Sequence, residues 1–194
     1  MTKNKIGIFG GTFNPIHRAH VMIANEFVSK FSLDLLYVIP NNIPPMKEAH
    51  GVSEKERLEM LEIAFSGNDK AKISDIELVR GGMSYTCDTV AELKSMHQGS
   101  ELFLLLGDDW IDRLDRWKNY KYILDNVTLV VAYRGLKDLT DDLDRLEKVS
   151  NKRPLLLENK RLMLSSTDFR EQQKAELLPD GVYEYITKRG LYRK

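Results

Sequence analysis

Cysteine is almost absent from this chain, which contains Cys87 alone. A single cysteine excludes an intrachain disulfide and favours a reducing compartment. Its neighbours in the sequence, Thr86 and Asp88, offer no positive charge that would lower the thiol pKa and make the group reactive. We therefore interpret Cys87 as a packing residue.

Long hydrophobic runs are also absent. No stretch reaches the roughly 18 apolar residues typical of a membrane-spanning helix. The MTKNK start leads into a short apolar strand and has no hydrophobic region of the kind found in signal peptides. We therefore expect a cytoplasmic protein with no membrane partner.

Neither sign of charge is in excess, since Lys plus Arg and Asp plus Glu number 29 each. A chain without net positive charge lacks the broad field that holds nucleic acid through counterion release. We therefore expect no nucleic-acid partner, and any anionic ligand needs a local site.

What the sequence does contain is a series of short apolar runs separated by segments of helical period. Strands buried on both faces read as continuous apolar runs, so this order predicts a parallel sheet with crossover helices. The expected fold class is α/β, a Rossmann-like, doubly wound, mostly parallel sheet with helices on both faces. We expect a single domain over 1–194, with a C-terminal helical part from about residue 165. The expected strands are IGIF at 6–9, LLYVI at 35–39, KISDIEL at 72–78, ELFLLLG at 101–107, VTLVVAY at 127–133 and RLMLS at 161–165.

Helix start signals precede two of the intervening segments. Ser53 with Glu56, and Thr89 with Glu92, have the spacing of capping boxes. Residues 138–154 alternate in charge and predict a solvated surface helix.

The first apolar run ends in the stretch IFGGTFNPIHRAH, at residues 8–20. Gly10 and Gly11 allow a ligand close to the backbone, and the following helix places His17 and His20 on one face. The stretch is not a Walker loop, because no GKS or GKT follows the glycines. Its glycines do not have the GxGxxG spacing either. Metal ligation and purely structural histidines are alternatives, but phosphate binding is favoured because a helix start attracts anions. We assign no metal ligand.

GGTFNPIHRAH resembles the G-G-T-F-D-P-x-H-x-G-H signature of the HxGH nucleotidyltransferases, which transfer a nucleoside monophosphate from a triphosphate onto a phosphate. Asn14 replaces the Asp of the signature and keeps a turn-forming amide, whereas Ala19 replaces a Gly and adds a methyl group. The resemblance implies a nucleotidyltransferase domain with two catalytic histidines. The ATP-binding residues it implies here are Gly10, Gly11, Thr12, Phe13, His17 and His20.

A second motif, LSSTDFR at 164–170, resembles the I-S-S-T-x-I-R motif that closes the site in the same family. The hydroxyls of Ser166 and Thr167 can bind phosphate oxygens, and Arg170 supplies a planar fork of donors for the charge of the leaving pyrophosphate. By itself the pattern is typical of a plain helix N-cap. Together with the first motif it predicts ATP binding by all three residues and a catalytic role for Arg170.

The middle of the chain resembles the bacterial nicotinate-nucleotide adenylyltransferases within that family. The matching segments are SYTCDT at 84–89, GDDWIDRLDRWKNY at 107–120 and the ending GLYRK. The resemblance covers nearly the whole chain and is weakest over 136–160.

This resemblance implies an acceptor site built from Thr86, Asp88 and Trp117, with the indole stacking on a pyridine ring. On pattern alone, a tryptophan on an amphipathic segment is more typical of a protein core. Asp109 matches the acidic residue at the nucleotide site of the family and is counted with the ATP-binding residues. Asp108 has no counterpart and is assigned no role.

Two cations complete the implied acceptor site. The adjacent prolines of NNIPPMK at 41–47 predict an extended loop, and its Lys47 matches the P-P-H-K of the family, with Met46 in place of the His. Arg134 and Gly135 stand where the family has Arg-Pro-Gly. Either cation could hold the acceptor phosphate, and a plain surface position is the alternative for each.

These resemblances imply transfer of AMP from ATP to nicotinate mononucleotide, giving deamido-NAD and pyrophosphate, with Mg²⁺ accompanying the ATP. The acceptor phosphate is already an anion, so catalysis needs positioning and charge stabilisation but no general base. The alternatives are nicotinamide-mononucleotide or pantetheine-phosphate adenylyltransferases and, in another class, a non-catalytic nucleotide-binding regulatory protein. The expected partners are ATP and nicotinate mononucleotide, and the oligomeric state stays open, a homo-oligomer included.

Overall fold

A computed structural model describes residues 3–43, 52–158 and 165–193. A 3-10 segment, Asp108–Arg116, follows the fourth strand, and another, Ala175–Leu177, precedes the last helix. The strands are β1 Lys5–Gly11, β2 Leu35–Pro40, β3 Ala71–Ile73, β4 Glu101–Gly107, β5 Thr128–Tyr133 and β6 Leu155–Glu158. The helices are α1 Arg18–Phe31, α2 Glu54–Phe65, α3 Ile76–Arg80, α4 Thr86–Met96, α5 Tyr120–Asn126, α6 Thr140–Ser150, α7 Ser166–Gln172 and α8 Val182–Arg189.

The strands form a six-stranded sheet in the order β3-β2-β1-β4-β5-β6, and every neighbouring pair is parallel. Ile8 of β1 lies opposite Tyr37 of β2 on one side and Leu104 of β4 on the other. The strand order therefore reverses between β1 and β4. Such a switch point opens a crevice at the carboxyl ends of the strands, where ligands of this architecture bind. The doubly wound α/β fold predicted from the sequence is confirmed.

Helices cover both faces of the sheet, because successive strand residues point to opposite sides. Along β4, Leu102, Leu104 and Leu106 belong to one core, whereas Phe103 and Leu105 belong to the other. The first core also contains residues of α4, α5 and α6, and the second contains residues of α1, α2, α7 and α8. The apolar runs are thus strands buried on two faces, as predicted.

The predicted strand at 72–78 is wrong beyond Ile73, since the chain turns there and forms the short helix α3. The reason lies in tertiary contacts of Glu77. Glu77 of α3 is buried and accepts hydrogen bonds from the Thr89 hydroxyl at 2.7 Å and the Asn41 amide at 3.0 Å. A buried carboxylate needs hydrogen-bond partners, and the helical turn places Glu77 next to Asn41 and Thr89.

The last strand of the sheet is β6, which the sequence analysis did not predict. Its four residues, LLLE, pair in parallel with β5. The run expected as the last strand was RLMLS at 161–165. Its first four residues lie outside the described part of the chain, and Ser165 is the N-cap of α7.

One of the two predicted capping boxes is confirmed. The Ser53 hydroxyl accepts from the Glu56 backbone N–H at 3.2 Å, and the Glu56 carboxylate accepts from the Ser53 N–H at 2.9 Å. The box at Thr89 is wrong because α4 already begins at Thr86, and the Thr89 hydroxyl donates to Glu77 instead.

The charged stretch at 138–154 contains α6, as predicted, but the helix is not solvated on all sides. Leu143 and Leu146 are buried in the core shared with α4 and α5. Cys87 is a free, buried thiol whose pKa is raised, first by burial, which agrees with a packing role. In the described residues no helix is both long enough and apolar enough to span a membrane.

Candidate active site

A cavity of about 220 Å³ opens at the switch point of the sheet. Its floor is formed by the carboxyl ends of β1 and β4, including Gly10, Gly11 and Gly107. Its sides come from the start of α4 and from the segment that follows β4. A methyl group added at Gly10 would meet no atom within 4 Å, so the backbone of β1 is open to a ligand there.

One wall of the cavity is aromatic. Trp110 and Trp117 meet edge to face, with ring centroids 5.6 Å apart and an interplanar angle of 70°. Tyr85 and Thr86 line the same cavity at the start of α4. The predicted Thr86 and Trp117 are therefore brought together, and Trp110 is an addition that sequence reasoning missed although the chain has only 2 tryptophans.

A lysine stands at the rim of the aromatic wall. The Lys118 ammonium lies 4.3 Å from the centre of the Tyr85 ring and 3.1 Å from the Asp88 carboxylate. The hydrogen bond with Asp88 raises the pKa of Lys118, so this group stays charged. The predicted Asp88 thus supports a cavity-lining cation rather than lining the cavity itself. Sequence reasoning missed Lys118, although it directly follows Trp117.

Polar side chains also line the cavity: Asn41, Glu77, Ser84 and Thr89. The Ser84 hydroxyl accepts from the backbone N–H of Asn42 at 2.8 Å, which fixes the chain just after β2. Glu77 is held by Asn41 and Thr89 as described above. The cavity therefore offers both an apolar stacking face and oxygen acceptors of the kind that bind hydroxyl groups.

The two histidines of the first motif form a pair at the start of α1. Their rings stack with centroids 3.5 Å apart and an interplanar angle of 18°. His17 is the N-cap: its Nδ1 accepts from the His20 backbone N–H at 3.4 Å, and the His20 Nδ1 accepts from the His17 N–H at 3.2 Å. This reciprocal capping is the arrangement of a capping box built from imidazoles.

This pairing determines where the ring protons lie. Because each Nδ1 accepts a hydrogen bond, a neutral ring carries its proton on Nε2, an assignment that follows from the bonding pattern. Burial lowers the pKa of His17 to about 4, against a smaller opposing effect of the Asp168 charge, so His17 is neutral near pH 7. Both Nε2 atoms then act as donors, as phosphate oxygens require.

Phe13 lies behind the histidines rather than in the cavity. It is buried, adopts a positive φ of 46°, and meets the His20 ring edge to face with centroids 5.1 Å apart. Phe9 adds an edge contact to Phe13 at 5.3 Å. The two phenylalanines therefore fix the orientation of His20 from one side.

The distal motif lies against the loop of the first motif. The Ser166 hydroxyl donates to the Pro15 carbonyl at 2.8 Å, and Arg170 donates to the Asn14 carbonyl at 2.6 Å. Arg170 also donates to the Thr167 hydroxyl at 2.8 Å. The structure thus places 166–170 in direct contact with the loop of the first motif, through hydrogen bonds that the spacing of the sequence could not reveal.

A buried arginine from α2 holds the same loop and was missed. Arg57 is 5% exposed and donates to the Thr12 carbonyl at 3.0 Å. Side chains remote in sequence therefore bind three carbonyls of the loop between β1 and α1, those of Thr12, Asn14 and Pro15. The one signal in the sequence is that Arg57 lies on the face of α2 that is otherwise apolar.

The cation Arg134 is bound by the acid to which no role was assigned. Asp108 is 3% exposed and accepts from the Arg134 backbone N–H at 2.9 Å and from its guanidinium at 2.6 and 2.9 Å. Asp109 is exposed and lies 3.6 Å from the same guanidinium. Asp109 and Arg134 thus lie together at the ends of β4 and β5, outside the wall of the cavity.

Most of the predicted site residues lie at the carboxyl ends of the strands. Lys47 lies outside the described residues. The described residues contain no group of three or more His, Cys, Asp or Glu side chains that could hold a metal ion. The cavity and the histidine pair are neighbours: Phe9 lines the cavity and its ring centroid lies 6.0 Å from that of His20. Gly10, Gly11 and Thr12 also line the cavity, and the loop that follows them leads to His17.

Known proteins are similar to this chain in sequence and in fold. Residues 8–172 match the family model described as cytidylyltransferase-like. The nicotinate-nucleotide adenylyltransferase of Bacillus subtilis is 36% identical over 97% of this chain and 98% of its own length. A probable nicotinate-nucleotide adenylyltransferase of Dictyoglomus thermophilum is 36% identical over 97% of this chain and 99% of its own.

A solved structure shows the same fold. Plasmodium falciparum nicotinic acid mononucleotide adenylyltransferase complexed with NaAD superposes with a TM-score of 0.80 at 21% identity, over 97% of each chain. The match with the family model and the identity to full-length relatives settle the family. This chain belongs to the cytidylyltransferase-like nucleotidyltransferases and, among them, to the nicotinate-nucleotide adenylyltransferase family.

Proposed function

We propose that this protein transfers AMP from ATP to nicotinate mononucleotide, forming deamido-NAD and pyrophosphate. The observation that carries the proposal is the junction of two sites at one strand end. An aromatic cavity suited to a pyridine ring and a pair of imidazole donors suited to phosphates are neighbours at the end of β1, where Phe9 lines the cavity and lies beside His20. Substrates in these two places would bring an acceptor phosphate next to a triphosphate.

The reaction is an in-line displacement at the α-phosphorus of ATP. An oxygen of the acceptor phosphate forms the new bond while the bond from the α-phosphorus to the oxygen bridging it to the β-phosphorus breaks, and pyrophosphate leaves. The acceptor oxygen is an anion already, so no side chain need remove a proton. The catalytic contribution is therefore positioning and stabilisation of charge.

The phosphate-binding roles follow from the donors present. The Nε2 atoms of His17 and His20 donate to phosphate oxygens at the start of α1, where the helix dipole adds positive potential. Arg170 uses one N–H on Asn14 and one on Thr167, and its other N–H groups serve the leaving pyrophosphate. Ser166, Thr167 and the backbone from Gly10 to Phe13 complete the ATP site, with Asp109 beside it.

The acceptor roles follow from the walls of the cavity. Trp117 stacks on the electron-poor pyridine ring, and Thr86 at the start of α4 faces its carboxylate. Lys118, held by Asp88, places a positive charge at the rim and favours the acid over the amide. Lys47 and Arg134 remain our proposed ligands of the acceptor phosphate.

Mg²⁺ enters this scheme with ATP. The described residues form no enclosing carboxylate or histidine cluster, which fits an ion that is held through phosphate oxygens and water rather than by a protein cage. Asp109, exposed at the end of β4, is the carboxylate that we place nearest to it. When bound, the ion neutralises part of the triphosphate charge. We further propose that 1–194 acts as a single, cytoplasmic nucleotidyltransferase domain.

The direct test measures pyrophosphate release with Mg-ATP and three acceptors: nicotinate mononucleotide, nicotinamide mononucleotide and phosphopantetheine. We expect kcat/KM to favour nicotinate mononucleotide by more than about a hundredfold, on the order of 3 kcal/mol. Preference for another acceptor would move the assignment to that sister enzyme. ATP binding without turnover on any acceptor would support a non-catalytic protein.

Binding at the acceptor cavity can be observed separately. Both tryptophans of the chain line the cavity, so intrinsic tryptophan fluorescence reports on it alone. We expect nicotinate mononucleotide to quench this emission in the absence of ATP, and Trp117→Phe to weaken the binding. Trp110→Phe is the matched control, since it removes the other indole from the same wall.

A further inference from the structure

The C-terminal segment returns to the loop of the first motif. The Tyr192 hydroxyl donates a hydrogen bond to the Asn14 side-chain oxygen at 2.5 Å, across 178 positions of sequence. Asn14 is 4% exposed and lies between Phe13, which packs on His20, and Pro15, whose carbonyl accepts from Ser166. A residue near the end of the chain therefore contacts the loop that carries the histidine pair.

Several contacts hold Tyr192 in this position. Its ring meets Phe169 of α7 edge to face, with centroids 5.9 Å apart, and its carbonyl accepts from the Gln173 amide at 3.1 Å. Its φ of 58° is left-handed, a backbone conformation that is unfavourable for residues other than glycine. Such a conformation persists because the surrounding contacts determine it.

The hydroxyl of Tyr192 remains a donor over the working range of pH. Burial raises the pKa of Tyr192, against smaller opposing effects of the charges of Arg170 and Arg57. In the signature of the family an Asp stands where this chain has Asn14, so here a neutral oxygen accepts the bond. Two hydrogen bonds thus hold the loop at Asn14. Arg170 binds the backbone carbonyl of Asn14, and Tyr192 binds its side-chain oxygen.

We propose that Tyr192 is a positioning residue of the ATP site, which acts through Asn14 on the loop that orients His17 and His20. This role rests on the proposed function, because it assigns Tyr192 to the phosphate half of that site. Tyr192 does not touch the reacting atoms. Its hydroxyl fixes the loop, and the loop fixes the direction of the two imidazole donors.

The test compares two tyrosines of the same C-terminal segment. Tyr185 of α8 donates to the Glu59 carboxylate at 2.5 Å and anchors α8 on α2, away from the loop. Tyr192→Phe and Tyr185→Phe each remove one hydroxyl and one such bond. We expect Tyr192→Phe to lower kcat/KM for ATP by about three to ten fold while KM for nicotinate mononucleotide stays unchanged. Tyr185→Phe should lower thermal stability and leave both constants unchanged.

Two further measurements separate positioning from plain stability. The imidazole NMR signals of His20 should shift in Tyr192→Phe and not in Tyr185→Phe. If the hydroxyl acts through Asn14, the double variant Asn14→Ala with Tyr192→Phe should be no less active than Asn14→Ala alone. The proposal is overturned if Tyr192→Phe changes only the melting temperature, or changes the constants for ATP and acceptor equally.

The outcome for Tyr192 can be told apart from the outcome for the reaction itself. If the wild-type protein turns over no acceptor, the proposed function fails. The equilibrium dissociation constant for ATP and the His20 signals still report whether Tyr192 orients the loop. An unchanged ATP constant with unchanged His20 signals in Tyr192→Phe would overturn the positioning role whatever the acceptor.

Discussion

Arg170 and Asn14 are 156 positions apart in the chain and are joined by a hydrogen bond of 2.6 Å from the guanidinium to the backbone carbonyl. The bond ties the distal motif to the first one, so α7 and the histidine loop form one unit. The arginine that we propose to stabilise the leaving group therefore also holds the loop that we propose to bind the triphosphate. Substituting Arg170 should affect both the binding of ATP and the chemical step.

His20→Ala should reduce kcat by about a hundredfold to a thousandfold with little change in KM for ATP, because a donor aimed at charge in the transition state is lost. Steady-state kinetics at saturating acceptor measure this. His20 also caps the start of α1. His20→Asn keeps a side-chain acceptor for that purpose and should be nearly as slow as His20→Ala. Unchanged kcat with a raised KM would remove His20 from the chemical step.

The pH dependence of stability should show the buried His17. Its folded pKa of about 4 lies below the ordinary value of 6.5, so the unfolded chain binds the extra proton first. The contribution of neutral His17 to the free energy of unfolding is fully present above about pH 6.5. It is lost as the pH falls towards 4, which lowers the free energy of unfolding by on the order of 3 kcal/mol. Urea unfolding at several pH values should show the loss.

The control for this pH effect is His17→Asn. Asparagine keeps a cap for α1 but does not titrate, so its stability should fall less steeply between pH 6.5 and 4. The carboxylates titrate in both proteins and cancel in the difference, apart from Asp168, whose charge interacts with His17. Parallel stability curves for the wild type and His17→Asn would show that His17 is not held neutral by burial.

The ion pair of Asp108 and Arg134 should respond unequally to removal of either partner. Arg134→Ala leaves a buried carboxylate with only a backbone donor, and we expect it to cost about 2 to 3 kcal/mol of unfolding free energy. Asp108→Ala leaves a partly exposed guanidinium that water can solvate, and it should cost about 1 kcal/mol. Adding Asp108→Asn to Arg134→Ala should recover stability. Equal losses for the two single variants would contradict this account.

Gly10→Ala should lower activity without unfolding the protein. The added methyl group meets no protein atom within 4 Å and projects at the open end of β1, so it can only crowd a ligand. Gly67→Ala is the matched control, because its methyl group also meets nothing within 4 Å and the residue lines a different pocket, beside Asn25 and Asn68. We expect unchanged melting temperatures for both variants and a reduced affinity for ATP in Gly10→Ala alone. Equal ATP affinities would show that no ligand approaches Gly10.

The fold could be predicted because its signals are local. Apolar runs such as LLYVI and ELFLLLG follow directly from burial on two faces, and Ser53 with Glu56 is a contact between near neighbours. Where the prediction was wrong, a long-range contact decided the structure. Glu77 belongs to α3 rather than to a strand because Asn41 and Thr89 bind its carboxylate, and no local pattern contains that information.

The site could be predicted in its parts but not in its connections. Thr86 and Trp117 were found by resemblance, and the structure places both on one cavity. Arg57 was not found, because its function depends on a carbonyl 45 positions away. Asp108 likewise had no assigned role until its contact with Arg134 was seen.

The carbonyls of the loop between β1 and α1 are held by partners that come much later in the chain: Arg57 binds Thr12, Arg170 binds Asn14 and Ser166 binds Pro15. A ribosome releases the loop long before it releases α7. Until residues 166–170 have been synthesised, the loop therefore lacks two of these three hydrogen bonds. We expect a chain truncated before residue 165 to bind ATP less tightly than the whole protein, because Arg57 alone would then hold a carbonyl of the loop.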